Sequence, residues 1–171
     1  MPHFLFISAT NGNNLKLTEV LKDIADAVGA STEIIQLEDL DIPLYSPSTQ
    51  KSDGVPLEAD MLNAKLIESD ALVLLAPEYN GSIPPVVTNA IAWMSVAGDD
   101  FRKAFNGRFA LVGTHSGGGG FRVLEAIRSQ LVHLGMIVLA RTIQTNFGKQ
   151  LDLDSAKAIF EQLVQLTSSS D

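Results

Sequence analysis

Ala71-Leu72-Val73-Leu74-Leu75-Ala76 runs without a break into Pro77-Glu78-Tyr79-Asn80-Gly81-Ser82-Ile83-Pro84, and this stretch decides the fold. The first six residues form an apolar run of strand length, closed by turn residues. Beyond Pro84, Val86, Val87, Ala90, Ile91 and Met94 fall on one helical face. A buried strand therefore ends in a Pro- and Gly-punctuated turn that opens onto a helix. In an open parallel sheet, ligands settle at the carboxyl ends of the strands. A turn with a Tyr, an Asn and a Gly at that edge offers a planar surface, polar groups and close backbone approach. Those are the parts needed to hold a flat, partly polar cofactor.

Working outward, strand and helix patterns alternate along the whole chain. Residues 4–8 read as a first strand, and Leu17, Val20, Leu21, Ile24 and Val28 follow at helical spacing. Residues 32–37 read as a second strand, followed by a polar, Pro-containing loop to Pro56. Met61, Leu62 and Leu66 mark a short helix before the strand at 71–76. Residues 108–114 are the fourth strand, with Leu124, Ile127, Leu131 and Leu134 on the next helix. Residues 136–143 are the fifth, and Ala156, Ile159, Phe160 and Leu163 line a closing helix. The tail Ser168-Ser169-Ser170-Asp171 is expected to fray.

Alternation of this kind implies parallel strands joined by right-handed crossovers, with helices on both faces. The first, third and fourth strands each lead into a loop rich in Gly, Ser or Asn. That pattern favours a doubly wound α/β sheet of five strands in the flavodoxin-like order 2-1-3-4-5, with its switch point beside the first strand. At 171 residues the chain suits one domain, residues 1–171, without internal repeat or linker.

Composition narrows the function classes. A formal charge of −8 argues against a nucleic-acid-binding surface and reads as solubility. The absence of Cys excludes disulfides, thiol catalysis and cysteine-ligated iron–sulfur clusters. No apolar stretch reaches the length of a membrane span, and residues 4–7 are too short for a signal segment. The expected location is the cytoplasm.

Three loops carry the candidate site. In the first, Ser8-Ala9-Thr10-Asn11-Gly12-Asn13-Asn14, short polar side chains and free amides precede a helix. The helix dipole and unsatisfied N–H groups make an anion site there, with Ser8, Thr10, Asn13 and Asn14 as candidate contacts. An ordinary N-cap with a turn would use the same residue types. The second loop is Pro77, Glu78, Tyr79, Asn80 and Gly81. An exposed loop Glu is usually solvated, and Tyr79 also suits a half-buried subunit contact. The third is Ser116, Gly117, Gly118 and Gly119, where absent side chains let the backbone approach a flat ring. A flexible surface loop is its bland reading. His115 is a candidate proton donor on the substrate side, although a lone loop His is more often incidental. His3 and His133 lack metal-ligand spacing and read as structural, so no metal site is expected. Trp93, Met94 and Phe101 read as packing a core or a subunit interface.

The Pro77–Pro84 loop closely resembles the second flavin-contact loop of the NADPH-dependent FMN reductase family. Leu40-Asp41-Ile42-Pro43-Leu44-Tyr45 resembles that family's segment after the second strand, and Asn89-Ala90-Ile91-Ala92-Trp93-Met94-Ser95 its helix after the second loop. Ser116-Gly117-Gly118-Gly119-Gly120-Phe121-Arg122, with Leu134-Gly135 downstream, resembles its third loop and following helix. The matches cover most of the chain in the family's order. The resemblance implies FMN as cofactor, with its phosphate at the first loop and its isoalloxazine ring lined by Pro77, Glu78, Tyr79 and Asn80. One departure falls in the first loop: Thr10 stands where the family usually has an Arg, and Asn13 where it usually has a Ser. A missing guanidinium removes a fork-shaped phosphate ligand.

The implied activity is NADPH- or NADH-dependent reduction of a small-molecule acceptor: a quinone, azo compound, metal oxyanion or free flavin. Two-electron ping-pong exchange and a homodimer or tetramer come with it. No protein side chain is assigned a catalytic role, because flavin hydride transfer needs no protein acid. A flavodoxin-like electron carrier or flavin-binding module is the alternative, and a flavin-free relative is a second one.

Overall fold

The run Phe4-Leu5-Phe6-Ile7 is buried on both faces of its strand, and its alternate side chains enter two separate cores. Phe4 and Phe6 join a cluster with Leu17, Leu21, Ala25, Ile159, Phe160 and Leu163. Leu5 and Ile7 join Leu62, Leu66, Val87, Met94, Leu124 and Ile127 on the other side. The period-two projection of a strand is what divides one apolar run between two layers of helices.

In this computed structural model, which describes residues 1–100 and 102–168, the strands are β1 (His3–Ser8), β2 (Ser31–Gln36), β3 (Ala71–Leu75), β4 (Phe109–His115), β5 (Ile137–Val138) and β6 (Ile143–Thr145). The helices are α1 (Asn13–Ala27), α2 (Pro47–Asp53), α3 (Leu57–Glu68), α4 (Pro85–Met94), α5 (Phe121–His133) and α6 (Leu153–Ser168). All strand pairings are parallel and the order is β2-β1-β3-β4-β5, as expected. α1 and α6 cover one face, while α3, α4 and α5 cover the other.

Two expectations need correction. The single fifth strand at 136–143 is instead two short strands, β5 and β6, both beside β4. Between their paired positions β4 has only Leu111 and Val112, whereas the partner has residues 139–142, so the backbone must bulge. Arg128 closes the bulge by donating to the carbonyls of Val138 (3.3 Å), Leu139 (2.6 Å) and Ala140 (3.3 Å). Residues 45–56 are not all loop either, since α2 lies within them. Ser46 caps it by accepting from Thr49 N–H at 3.0 Å, Pro47 stands at its first position, and Gly54 ends it at φ 77°.

Trp93 and Met94 pack into the core of this chain. The Trp93 indole N–H donates to Pro43 O at 2.7 Å, and Asn89, one turn earlier, accepts from Tyr45 N–H at 2.7 Å. Segment 42–45 is thereby latched onto α4, which is why those two stretches belong together. Phe101 and residues 169–171 of the tail lie outside the described residues.

Candidate functional site

Register levels the ends of three strands. Ser8 pairs with Leu75, and Leu75 with Gly113. The ladder then continues one step, with Ala9 N–H to Leu75 O at 2.8 Å and Ala76 N–H to Gly113 O at 3.2 Å. The loops after β1, β3 and β4 therefore leave the sheet side by side, and all thirteen expected contact residues gather at one edge.

The first loop is shaped by side chains that are already engaged. Ser8 is fully buried and its hydroxyl donates to Thr10 O at 2.8 Å. Asn14, 2% exposed, donates through Nδ2 to His115 O (3.0 Å) and accepts His115 N–H on Oδ1 (2.8 Å). This two-sided clamp ties the first loop to the end of β4. Asn11 N–H donates to Glu38 at 2.7 Å, and its amide reaches Asp39, which anchors the loop tip to the 3-10 turn Leu37–Asp39. Thr10 and Asn13 remain at the rim with open side chains. No side chain caps α1, and its first turn holds no acidic residue. Lys16 N–H, bonded to Gly12 O at 3.3 Å, is the first amide of that helix with a backbone partner. The amides before it face the loop free, an arrangement suited to an anion.

At the second loop, Tyr79 and Ser82 exchange N–H···O bonds of 3.0 and 2.9 Å around Asn80 (φ 50°) and Gly81 (φ 72°). Two successive positive φ angles make this a type I′ hairpin turn, for which Asn-Gly is the preferred pair. The turn holds Tyr79 48% exposed at the edge. The Arg122 guanidinium leans over the turn, its Nη1 3.2 Å from where a Cβ on Gly81 would stand.

Glu78 does something its sequence context did not reveal. Its Oε2 accepts from Arg122 N–H (3.1 Å) and Val123 N–H (3.2 Å), the second and third residues of α5. The carboxylate thus caps α5 from another loop, where the helix dipole favours it. Glu78→Ala is expected to lower stability by about 1–2 kcal/mol, while Glu78→Gln, which keeps an acceptor oxygen, loses less. Urea denaturation of both variants checks this ordering.

A hydroxyl relay joins the second loop to the third. Thr114 Oγ1 donates to Ala76 O at 2.7 Å, so it accepts from Ser116 Oγ at 2.8 Å. Ser116 in turn accepts Glu78 N–H at 2.8 Å. Ser116 is 6% exposed, so its hydroxyl is spent inside the protein. Gly117 and Gly118 stand exposed beyond it, and a Cβ on Gly118 would meet nothing within 4 Å. Gly119 (φ 94°) accepts on its carbonyl from Gln144. His115 is half-buried, with Nδ1 3.0 Å from Thr145 Oγ1 and its ring edge-on to Phe147.

Residues 2–150 match the model of a family described as NADPH-dependent FMN reductase. The chain belongs to that family. Among curated relatives it is 33% identical over 123 residues to a quinone reductase of Escherichia coli (strain K12), a match covering 70% of this chain and 64% of the relative. The chain therefore spans somewhat less than two thirds of those quinone reductases. Among solved structures it superposes on FerB, a flavoenzyme NAD(P)H:(acceptor) oxidoreductase from Paracoccus denitrificans, with TM-score 0.79, 20% identity and coverage of 99% and 98%. An archaeal flavodoxin superposes with TM-score 0.68, 12% identity and coverage of 97% and 99%. The fold is flavodoxin-like, as the strand order alone implied. Among the described residues no helix is long and apolar enough to cross a membrane.

Proposed function

We propose that this chain is an NAD(P)H-dependent FMN oxidoreductase that reduces a small-molecule acceptor, a quinone first, by two-electron ping-pong exchange. Azo compounds, metal oxyanions and free flavin are further acceptors of the same class. The observation that carries the reading is the level edge where an uncapped helix and an exposed glycine pair meet a type I′ turn. These features fit FMN: free amides for a phosphate, and open backbone faces for a flat ring. When bound, the flavin supplies hydride acceptance and donation.

The chain's own residues bind and orient. Thr10, Asn13 and the first amides of α1 hold the phosphate, while Ser8 and Asn14 keep that loop in shape. Pro77, Tyr79, Asn80 and Gly81 line one side of the ring, and Gly117, Gly118 and Gly119 the other. Glu78 and Ser116 lock the two ring loops to each other, so the ring meets a preorganised surface. No side chain is assigned to proton transfer.

The protein is further proposed to be cytoplasmic and to form a homodimer or tetramer; exposed Leu44, Phe121 and Phe147 support the association. Sedimentation tests it, and a monomer at micromolar concentration contradicts it. The activity is tested with purified, FMN-loaded protein, NADPH or NADH, and a quinone. Parallel initial-rate lines are expected, and failure to oxidise either donor with any quinone defeats the proposal.

Phosphate affinity gives a separate check. The first loop has no guanidinium, and Glu38 and Asp39 anchor its tip. Thr10→Arg is expected to tighten FMN by about 1 kcal/mol or more through a charge-assisted contact. Flavin titration reads the change, and unaltered affinity places the phosphate elsewhere.

A further inference from the structure

Three Asn-Gly pairs stand in the chain: Asn11-Gly12, Asn80-Gly81 and Asn106-Gly107. In such a pair no side chain hinders the glycine nitrogen, which can attack the asparagine carboxamide carbon. A bond forms from the glycine N to the asparagine Cγ, the Cγ–Nδ2 bond breaks, and the amide proton leaves on ammonia. Water then opens the cyclic imide at one carbonyl or the other, giving aspartate or isoaspartate. No oxidant, reductant or cofactor enters. The step needs a carboxamide free to swing and a glycine N–H not spent in a hydrogen bond, on backbone that can turn.

All three asparagines are exposed, so their bonding decides between them. Asn106 N–H donates to Arg102 O at 2.8 Å, and Gly107 N–H to Gly135 O at 2.9 Å, which occupies the nucleophile. Asn11 gives its N–H to Glu38 and its carboxamide nitrogen to Asp39, while Gly12 O receives the first helical bond of α1 from Lys16. At Asn80 neither the carboxamide nor the Gly81 N–H has a hydrogen-bond partner among the described residues. Only the Tyr79–Ser82 exchange holds that backbone, as an isolated bridge rather than the end of a ladder. In a type I′ turn the first central residue has ψ of about 30°, which keeps the glycine nitrogen out of line with the carboxamide. Closure therefore waits on opening of the turn, and a two-bond turn opens readily.

A cation is already set over this turn. Arg122 Nη1 and Cδ lie 3.2 and 3.4 Å from the Cβ position of Gly81, which stands the guanidinium against the attacking residue. That guanidinium makes no ion pair among the described residues. Glu78, the carboxylate at the start of the loop, is engaged by the amides of Arg122 and Val123. As the imide closes, the glycine nitrogen sheds its proton and negative charge gathers on it and on the carboxamide oxygen. A fixed positive charge beside them lowers that barrier, and afterwards faces the carboxylate that is produced.

We propose that Asn80 is a self-modification site: in the folded protein it converts to aspartate and isoaspartate ahead of Asn11 and Asn106, with Arg122 as the positioning residue that speeds the step by its charge. The product carries a new negative charge and, as isoaspartate, an extra backbone methylene inside a two-residue turn. The Tyr79–Ser82 exchange has no slack for that atom, so the modified loop loses its shape. FMN seated against the turn holds it shut, so flavin-free protein is modified while loaded protein is spared; this part rests on the flavin reading.

Timed incubation of the whole protein at neutral pH, followed by peptide mapping by mass and isoaspartate labelling, tests it without turnover. In urea, where only sequence acts, the three pairs should convert at similar rates. In the folded, flavin-free protein Asn80 should lead both others by about tenfold, the worth of the extra hydrogen bonds they must break. Arg122→Gln should slow Asn80 about fivefold, as loss of one screened charge would, leaving Asn11, Asn106 and all rates in urea unchanged. Arg122→Lys should restore most of the rate, whereas mere loosening of the turn would raise it above wild type. Conversion of Asn11 or Asn106 as fast as Asn80, an intact Asn80 in folded protein, or an Arg122→Gln rate at or above wild type each overturns the assignment. Equal Asn80 rates with and without saturating FMN, the order of the pairs being kept, uphold the site and defeat the placement of the ring against this turn.

Discussion

Gly120→Val should abolish FMN binding and lower stability by roughly 3 kcal/mol or more, combining backbone strain with overpacking. Gly120 sits at φ 70° in the turn into α5, a region that β-branched residues avoid. A Cβ there would lie 2.5 Å from Thr114 Cγ2, 2.9 Å from Thr114 Oγ1 and 3.1 Å from Ser116 Cβ. Those two side chains carry the relay from Glu78 N–H to Ala76 O, so relieving the clash pulls the second and third loops apart. Chemical denaturation with flavin titration reads both effects. A variant with the wild-type midpoint and affinity shows that the turn follows another path.

Gly118→Val is expected to behave in the opposite way, sparing the fold while weakening FMN at least tenfold, roughly 1.4 kcal/mol. The φ at Gly118 is not positive, and its Cβ position is empty of protein atoms, so a Val side chain meets only what lies against the loop. If that is the flavin ring, a branched side chain takes its place. Circular dichroism and denaturation should match wild type, leaving titration as the sole readout that moves. Wild-type affinity would place the ring away from this loop. The two glycines are two residues apart, so their contrast separates a loop that must be built from a surface that must stay open.

How far the sequence could be read follows from what periodicity records. Ala156, Ile159, Phe160 and Leu163 were legible as one face, and all four are buried. The order of the strands was legible because only the first, third and fourth end in ligand-type loops. The split of the last strand was not, because Leu139 is buried within the bulge and keeps the run apolar. α2 buries no residue, so it lacks an apolar stripe; only Ser46-Pro47 and Gly54 announced it. On the first helix Val20 shares the apolar spacing yet is 44% exposed.

At the site, residue types and loops were legible but several partnerships were not. Glu78 looked like a solvated loop carboxylate that the resemblance also placed against the ring, and Asn14 and Ser116 like ligand contacts. Their observed partners lie 44 and 45 residues away for Glu78, 101 for Asn14 and 38 for Ser116. Spacing along a chain carries no record of hydrogen bonds closed by topology. Helix-starting signals near α5 pointed only to glycines, since its cap comes from elsewhere.

The cap on α5 also bears on how such proteins can be recombined. A segment exchange that imports residues 77–84 alone brings a carboxylate whose two amides belong to a helix more than 40 residues downstream. An exchange that imports α5 alone leaves its first turn without an acceptor. The heritable module is therefore discontinuous: the Glu78 loop, Thr114, Ser116 and the start of α5 must travel together for a chimaera to keep its edge.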